Sequence, residues 1–369
     1  MHLNTGGFMK SIPTIVLTGG PCAGKTSSLA RIKSWLTEIG YAPIMVPEMA
    51  TLLIEAGYGP TMPGFQRELF RLQHAIEARC ESAAEHLQRA GKKPVVILDR
   101  ALVDTKAYTE LSAFADILAT MGVQEARLLE RYHAVVHLRT AAYGAERFYT
   151  LENNAARREG TLAEARIQDD ATLHAWLPHP HLTIIDNRSD GFEGKLLRVQ
   201  RAIAHALGIP EPLEIERKFL VDSTHLHSIP VPCTSIMITQ TYLARGRASA
   251  RVRKAVVHGY PLYTYTEKRD IRPGMRIEIE RSISASEYEH CLLDQDSART
   301  SIEKERRVFV WENQRYELDL FIAPKPGLVL LEAEVHDLQE ALVLPSFIPI
   351  LREVTTEETY SNARLALRT

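Results

Sequence analysis

The chain has 369 residues, with 44 Lys and Arg against 46 Asp and Glu and a formal net charge of −2. That length suits roughly two to three domains, and the near-neutral balance gives no reason to expect duplex nucleic acid as a partner. The four cysteines, Cys22, Cys80, Cys233 and Cys291, never fall in C-x-x-C spacing, which argues against a disulfide framework or a zinc site and fits a reducing, cytoplasmic setting. No apolar run approaches the ~18–20 residues of a membrane span, and residues 1–11 read as a disordered leader with no signal-peptide core.

Residues 12–17 form a short apolar run, as a buried parallel strand would. They lead into Gly19-Gly20-Pro21-Cys22-Ala23-Gly24-Lys25-Thr26, the G-x-x-x-x-G-K-T pattern of a P-loop. Gly19 and Gly24 let backbone N–H groups wrap phosphate oxygens, Lys25 reaches the β- and γ-phosphates, and Thr26 can ligate Mg²⁺. A helix is predicted over 27–39, with Leu29, Ile32, Leu36 and Ile39 on one face. A second strand over 42–46 ends at Pro47-Glu48, and a long helix is predicted over 65–90. Residues 94–100 give a third strand of Walker-B form, with Asp99 placed to hold Mg²⁺. Strands over 134–139 and 182–187 and helices over 161–176 and 192–207 complete an alternating α/β pattern, the signature of a covered parallel sheet. Thr161 with Glu164 reads as a capping box at the start of its helix. Arg157, Arg158 and Arg166 are candidates for a lid that brings positive charge to a transferred phosphoryl group.

Glu48, the Asp99-Arg100 pair and Asp104 around this P-loop resemble a P-loop NTPase or kinase-like (AAA-type ATPase) domain. The resemblance is to the small-molecule kinase branch, and within it to the nicotinamide-riboside kinase subgroup. It implies that Glu48 is an acid or base on the acceptor side, that the Asp99-Arg100 pair faces the phosphoryl acceptor and that Arg100 neutralises phosphate. Read from its position alone, Glu48 suits equally a loop carboxylate capping the next helix.

Residues 209–212, with Pro210 and Pro212, read as a short stiff linker between a domain at 12–208 and one at 213–369. Beyond it period two takes over. Glu214, Glu216 and Lys218 share a strand face, as do Arg251 with Arg253, Thr266 with Lys268, Lys304 with Arg306, Glu317 with Asp319, and Glu332 with Glu334. The simplest reading is an antiparallel sheet with one wet, charged face. Because several strands carry only bases and others only acids, a sheet closed on itself around a polyanion and a metal is the preferred expectation. Burying so many ions is costly unless they pair or bind ligand.

The runs Glu214-Ile-Glu216-Arg-Lys218, Arg251-Val-Arg253, Lys304-Glu-Arg306, Glu317-Leu-Asp319 and Glu332-Ala-Glu334 resemble, in order and spacing, a CYTH domain, the triphosphate-tunnel fold. The pairing of the two halves resembles the TRPL translocation defect family and its bacterial relatives. The resemblance implies an α/β parallel-sheet P-loop domain followed by an α+β domain built on a closed antiparallel β-barrel. It implies that Lys218, Arg251, Arg253, Lys268, Lys304 and Arg306 bind triphosphate. Glu214, Glu216, Asp319, Glu332 and Glu334 would bind Mg²⁺ or Mn²⁺, hard cations that prefer oxygen, and Glu216 and Lys218 would lie at the catalytic centre. The expected ligands are ATP or GTP in the first half and a nucleoside triphosphate or inorganic polyphosphate in the second. The expected activity is metal-dependent triphosphate hydrolysis. The same features also suit a nucleotide-gated protein that holds a phosphorylated ligand such as an anionic phospholipid, or a small-molecule kinase.

Overall fold

The structure is a computed structural model and describes residues 12–149, 160–188, 190–209, 213–244, 249–272, 275–335 and 341–368. The lid candidates Arg157 and Arg158, the leader at 1–11 and most of the linker lie outside the described residues, as does the side chain of Glu214.

Five parallel strands build the first half: β1 (Thr14–Gly19), β2 (Ala42–Val46), β3 (Pro94–Asp99), β4 (Ala134–Leu138) and β5 (Leu182–Ile185), in the spatial order β2-β3-β1-β4-β5. The near-continuous apolar sequences of the central strands β1, β3 and β4 are buried on both faces, as a parallel sheet covered by helices requires, while the edge strands β2 and β5 are half-buried. Ile15, Leu17, Val95 and Ile97 pack against Ile32 and Leu36 of α1 (Lys25–Glu38) and Val199 and Ile203 of α7 (Gly191–Ala206). Val16, Val96 and Leu98 point the other way, into a cluster with Phe70 of α3 (Phe65–Arg89), Phe114 of α4 (Leu111–Met121), Leu128 of α5 (Glu125–Glu130) and Trp176 of α6 (Leu162–Trp176). The expected capping box holds: Glu164 N–H donates to Thr161 Oγ1 at 3.1 Å, and Thr161 N–H donates to Glu164 at 3.1 Å. Helices α2 (Met49–Glu55), α4 and α5 and the 3₁₀ segment Leu102–Tyr108 were not expected from periodicity. They are short and take their stability from packing rather than from a long amphipathic repeat.

The second half is antiparallel: β6 (Leu213–Val221), β7 (Cys233–Tyr242), β8 (Ser249–Val257), β9 (Tyr260–Arg272), β10 (Met275–Ser282), β11 (Ile302–Trp311), β12 (Gln314–Ala323), β13 (Val329–Glu334) and β14 (Ile350–Glu353). They form one nine-stranded sheet in the order β10-β9-β8-β7-β11-β12-β13-β6-β14, and β10 pairs in addition with β6. That extra pairing, Met275 with Ile215 and Ile277 with Leu213, joins the start of β6 to the far end of the strand order. Two short helices, α8 (Ala285–Leu292) and α9 (Asn362–Leu365), lie outside the sheet; α8 starts at Ser284, whose hydroxyl accepts from Glu287 N–H. One sheet face carries Phe219, Phe309, Tyr316, Leu318 and Leu331 in an apolar cluster, and the other carries the charges.

Candidate functional site

The P-loop follows from local backbone chemistry. Gly19 has φ 134°, and a Cβ there would stand 2.0 Å from Leu138 O, so only glycine lets the loop leave β1 against β4. The loop is also held from outside: Gly20 N–H donates to buried Asp169 Oδ1 at 2.6 Å, and Asp169 meets Arg139 Nη1 at 2.8 Å. Lys25 Nζ, at the start of α1, donates to Gly19 O at 3.1 Å and Gly20 O at 3.2 Å, inside the curve a phosphate would fill. Burial, then neighbouring Arg100, pushes the Lys25 amine down from its ordinary value. Thr26 is exposed on the first helical turn.

A cavity of about 1240 Å³ opens over this loop. Lys25, Thr26, Asp99, Glu48, Arg100 and Tyr108 are among the residues that line it. Arg100 turns out of β3 with φ 67°, a left-handed conformation uncommon outside glycine and concentrated at functional sites. It donates through Nε to Glu48 Oε1 at 2.7 Å. Glu48 occupies the N-cap position of α2 but makes no side-chain cap bond, and its second oxygen accepts from Thr51 Oγ1 at 3.1 Å. Of the two readings of Glu48 the geometry therefore favours the cavity-facing one. Burial opposes its charge, but Arg100 and Lys25 outweigh burial and lower its pKa. Burial, helped by Glu48 and Asp104, pushes Asp99 up to about 6 against the pull of Lys25 and Arg100. Asp104 is part of the frame: it accepts from Thr18 Oγ1, from Ala101 N–H at 2.7 Å and from Trp176 Nε1 at 3.2 Å. Arg166 donates to Ala142 O at 2.7 Å and Glu146 at 3.0 Å, so it braces the 142–146 loop instead of reaching into the cavity.

On the antiparallel half, strand register brings the predicted bases and acids together. Arg306 Nε and Nη2 each lie 2.7 Å from an oxygen of Asp319, the bidentate geometry that suits guanidinium and carboxylate. Lys304 Nζ reaches the same carboxylate, and Lys218 Nζ reaches Glu332. Arg306 also contacts Glu332 Oε2 at 3.0 Å and pairs with Glu317. Lys304, Asp319 and Glu332 are almost fully buried. Burial raises the Glu317 pKa, but Arg306 and Arg315 overcome it and hold the carboxyl at about 2. Glu332 is likewise held well below the carboxylate range by Lys218, Lys304 and Arg306 despite burial. Arg251 is buried on β8, Arg253 Nη1 lies 3.9 Å from Glu280, and Lys268 is half-buried on β9. The signs that are sorted by strand in the sequence are interleaved in space.

The residues fit divalent cations unequally. In the P-loop cavity, Asp99 Oδ1 is buried without a hydrogen-bond partner, and Thr26 stands on the neighbouring turn, a donor set suited to Mg²⁺. On the sheet, Glu216 and Glu334 lie directly opposite each other, and Lys218 Nζ stands 3.5 Å from Glu216 Oε2. Asp319 and Glu332 are likewise bound up with lysine and arginine. Among the described residues there is no cluster of three or more His, Cys, Asp or Glu side chains poised for a metal.

Periodicity missed several groups around the cavity. Asp169 holds Gly20, and Lys195 Nζ donates to Arg139 O at 2.6 Å and Asn187 Oδ1 at 2.8 Å while burial lowers it to about 7. Gln73 and Glu77 of α3 form a buried pair under Arg100 O. Asp169, Glu77 and Lys195 were legible only as charged residues on otherwise amphipathic helices, an ambiguous signal.

The fold and the two sites define a protein with an AAA-type P-loop domain joined to a charge-lined antiparallel domain. The pattern of the family described as "AAA domain" matches residues 14–193. An inorganic triphosphatase from Acetivibrio thermocellus is 31% identical over 153 residues, 41% of this chain and 92% of the relative. The chain belongs to the family of that inorganic triphosphatase. Among solved structures, one of an inorganic triphosphatase is 26% identical, with 42% of this chain and 99% of that chain covered at a TM-score of 0.31. A protein from Pyrococcus horikoshii OT3 is 18% identical over 34% of this chain and 80% of its own, at a TM-score of 0.27. Among the described residues no helix is long and apolar enough to cross a membrane.

Proposed function

We propose that the antiparallel half hydrolyses a triphosphate, inorganic tripolyphosphate or a nucleoside triphosphate, and that the P-loop half binds ATP or GTP. The observation that carries this reading is the set of buried Lys218 and Lys304 with half-buried Arg306, whose charges are balanced by Asp319, Glu317 and Glu332 on one sheet face. A polyanion entering such a face meets preorganised cations at low dielectric, where they stabilise charge on equatorial and leaving oxygens. The extra pairing of β10 with β6 supports a ring of eight strands, closed as a tunnel, with β14 appended outside it. Arg251, Arg253 and Lys268 would extend the anion path. Glu214, Glu216 and Glu334, with Asp319 and Glu332 as they exchange partners, would hold Mg²⁺ or Mn²⁺. The cation would supply Lewis-acid polarisation of a phosphoryl oxygen. Water adds in line to the terminal phosphorus as the bridging P–O bond breaks, Glu216 takes the water's proton, and Lys218 balances charge on the transferred phosphoryl. The fused arrangement suits the TRPL translocation defect family, with domains meeting across 209–212.

The test is phosphate release from tripolyphosphate, ATP and GTP with Mg²⁺ or Mn²⁺, using unmodified protein, Lys25→Ala and Glu216→Ala. Loss with Glu216→Ala and survival with Lys25→Ala is the expected result. Loss with Lys25→Ala alone would move the chemistry to the P-loop. No turnover by any protein, with nucleotide still bound, would leave a nucleotide-gated binder of phosphorylated ligands such as anionic phospholipid headgroups, and liposome flotation would test that role.

A second reading concerns the P-loop half itself. Its cavity runs past the phosphate loop to the Glu48–Arg100 pair, room and chemistry for a phosphoryl acceptor beside a bound nucleotide. Glu48 would take the acceptor hydroxyl's proton, Arg100 would stabilise the transferred phosphoryl and Asp99 would serve the metal. Arg157 and Arg158 remain the candidates for a closing lid.

A further inference from the structure

The two halves meet at one end of the antiparallel sheet. Residues on the charged face turn apolar toward that end: on β8, Arg251 and Arg253 give way to Ala255 and Val257, and on β11, Lys304 and Arg306 give way to Val308 and Val310. Val257 and Val308, with Ile236 and Ile238 of β7, belong to the same buried cluster as Phe114, Ile117 and Leu128 of the P-loop half. Strand directions place the end of β13, the end of β10 and the turn between β8 and β9 at this same end. Each is touched by the P-loop half. His205 lies 3.9 Å from Glu334, His181 lies 3.9 Å from Glu280, and Glu125 lies 3.4 Å from His258.

The elements that reach across also line the nucleotide cavity. Helix α7 puts Phe192 and Lys195 in the cavity and carries His205 in its last turn, a lever of about 24 Å for its 16 residues. His181 precedes β5, and Asn187, two residues past the end of β5, lines the cavity. In the segment Leu102–Tyr108, Thr105 and Tyr108 line the cavity while Lys106 Nζ holds Glu125 at 2.6 Å, and Glu125 in turn meets His258. On the ring side, Glu280 accepts from Thr266 Oγ1 at 2.9 Å and faces Arg253 Nη1, so the residue that His181 approaches sits among the phosphate-binding candidates.

We propose that the P-loop half is the floor of the triphosphate site, with His181, His205 and Glu125 as positioning residues, and that a nucleotide in the cavity thereby changes the affinity of the tunnel for triphosphate. The inference rests on the reading of the antiparallel half as a triphosphate site. A rigid element with one end in each site moves both when either is filled, and the coupling is reciprocal: triphosphate must change nucleotide affinity by the same factor.

The test is calorimetric titration of tripolyphosphate into full-length protein, without divalent metal, in the absence and presence of saturating ADP. Unmodified protein, Lys25→Ala, and a variant carrying Glu125→Gln, His181→Gln and His205→Gln are compared. The expected result is a change in tripolyphosphate Kd of about fivefold or more with ADP, lost in Lys25→Ala and reduced to near one in the triple variant, which still binds each ligand alone. An unchanged Kd in unmodified protein that demonstrably binds ADP overturns the coupling. An ADP effect that survives Lys25→Ala overturns it too, since ADP would then be acting in the tunnel. Full coupling in the triple variant overturns the roles assigned to the three residues. Failure of Lys25→Ala to bind tripolyphosphate at all sinks the triphosphate-site reading and the coupling with it.

Discussion

Asp319→Asn isolates the balance of charge on which the triphosphate reading depends. Asp319 is fully buried, accepts from Arg306 Nε and Nη2 at 2.7 Å each and also holds Lys304. Asparagine keeps the shape and one acceptor but removes the charge, so buried Lys304 and half-buried Arg306 lose their principal counter-ion. Breaking a buried pair by removing one partner costs about 3–5 kcal/mol, and retention of an acceptor puts the expected loss at about 3 kcal/mol. For a domain of this size that is about 6–12 °C in Tm. Tripolyphosphate at a hundredfold excess over its Kd returns about 2.7 kcal/mol to either protein. In the unmodified protein the anion must compete with Asp319 for Lys304 and Arg306, whereas in the variant it does not. The upward shift with tripolyphosphate should therefore be larger in Asp319→Asn, by about 1.4 kcal/mol if affinity improves tenfold. The assay is thermal unfolding with a chelator present, with and without tripolyphosphate. A loss below about 1 kcal/mol, or an identical ligand shift in the two proteins, would refute the competition between carboxylate and substrate.

Glu77, 2% exposed, is pushed up to about 7 from 4.5 by burial, against the pull of Gln73, Arg131 and Tyr132. The native state then binds more protons than the unfolded one between those values, so Glu77 makes stability fall as pH rises from about 4.5 to about 7. The total is about 3 kcal/mol. Comparing unfolding of unmodified protein and Glu77→Gln across that window should show the slope only in the former, and parallel curves would count against a shifted carboxyl. Gly24→Ala should weaken nucleotide binding at least tenfold by calorimetry, because Gly24 has φ 89° and a Cβ there would lie 2.6 Å from the Phe192 ring. Unchanged affinity would mean that the loop reshapes freely. Glu48→Ala should abolish phosphoryl transfer to an added hydroxyl acceptor while leaving nucleotide affinity within about threefold, as expected for a group that acts on the acceptor. A parallel loss of nucleotide binding would assign Glu48 to maintaining Arg100 instead.

The sequence by itself determined the features that depend on neighbouring residues. A P-loop is a run of consecutive backbone conformations, so Gly19, Gly24, Lys25 and Thr26 announce it wherever the chain carries them. The parallel strands are legible as apolar runs, and the charged sheet face is legible at period two because alternate residues must share a side. The capping box at Thr161 is local for the same reason. Tertiary structure decided the partners. Nothing near Gly20 in the chain indicates that Asp169 will hold it, and nothing near Arg306 indicates that Asp319 and Glu332 will meet it, since strand register sets those distances. Strands that read as all-basic or all-acidic become neighbours across the sheet, and metal candidates double as counter-ions to phosphate candidates. The short helices α2, α4 and α5 exist because the sheet and its neighbours bury them. The placement of the P-loop half against one end of the antiparallel sheet has no local signature either: Ile236, Ile238, Val257 and Val308 read simply as apolar strand positions, and only the packed chain shows that they cover an interface.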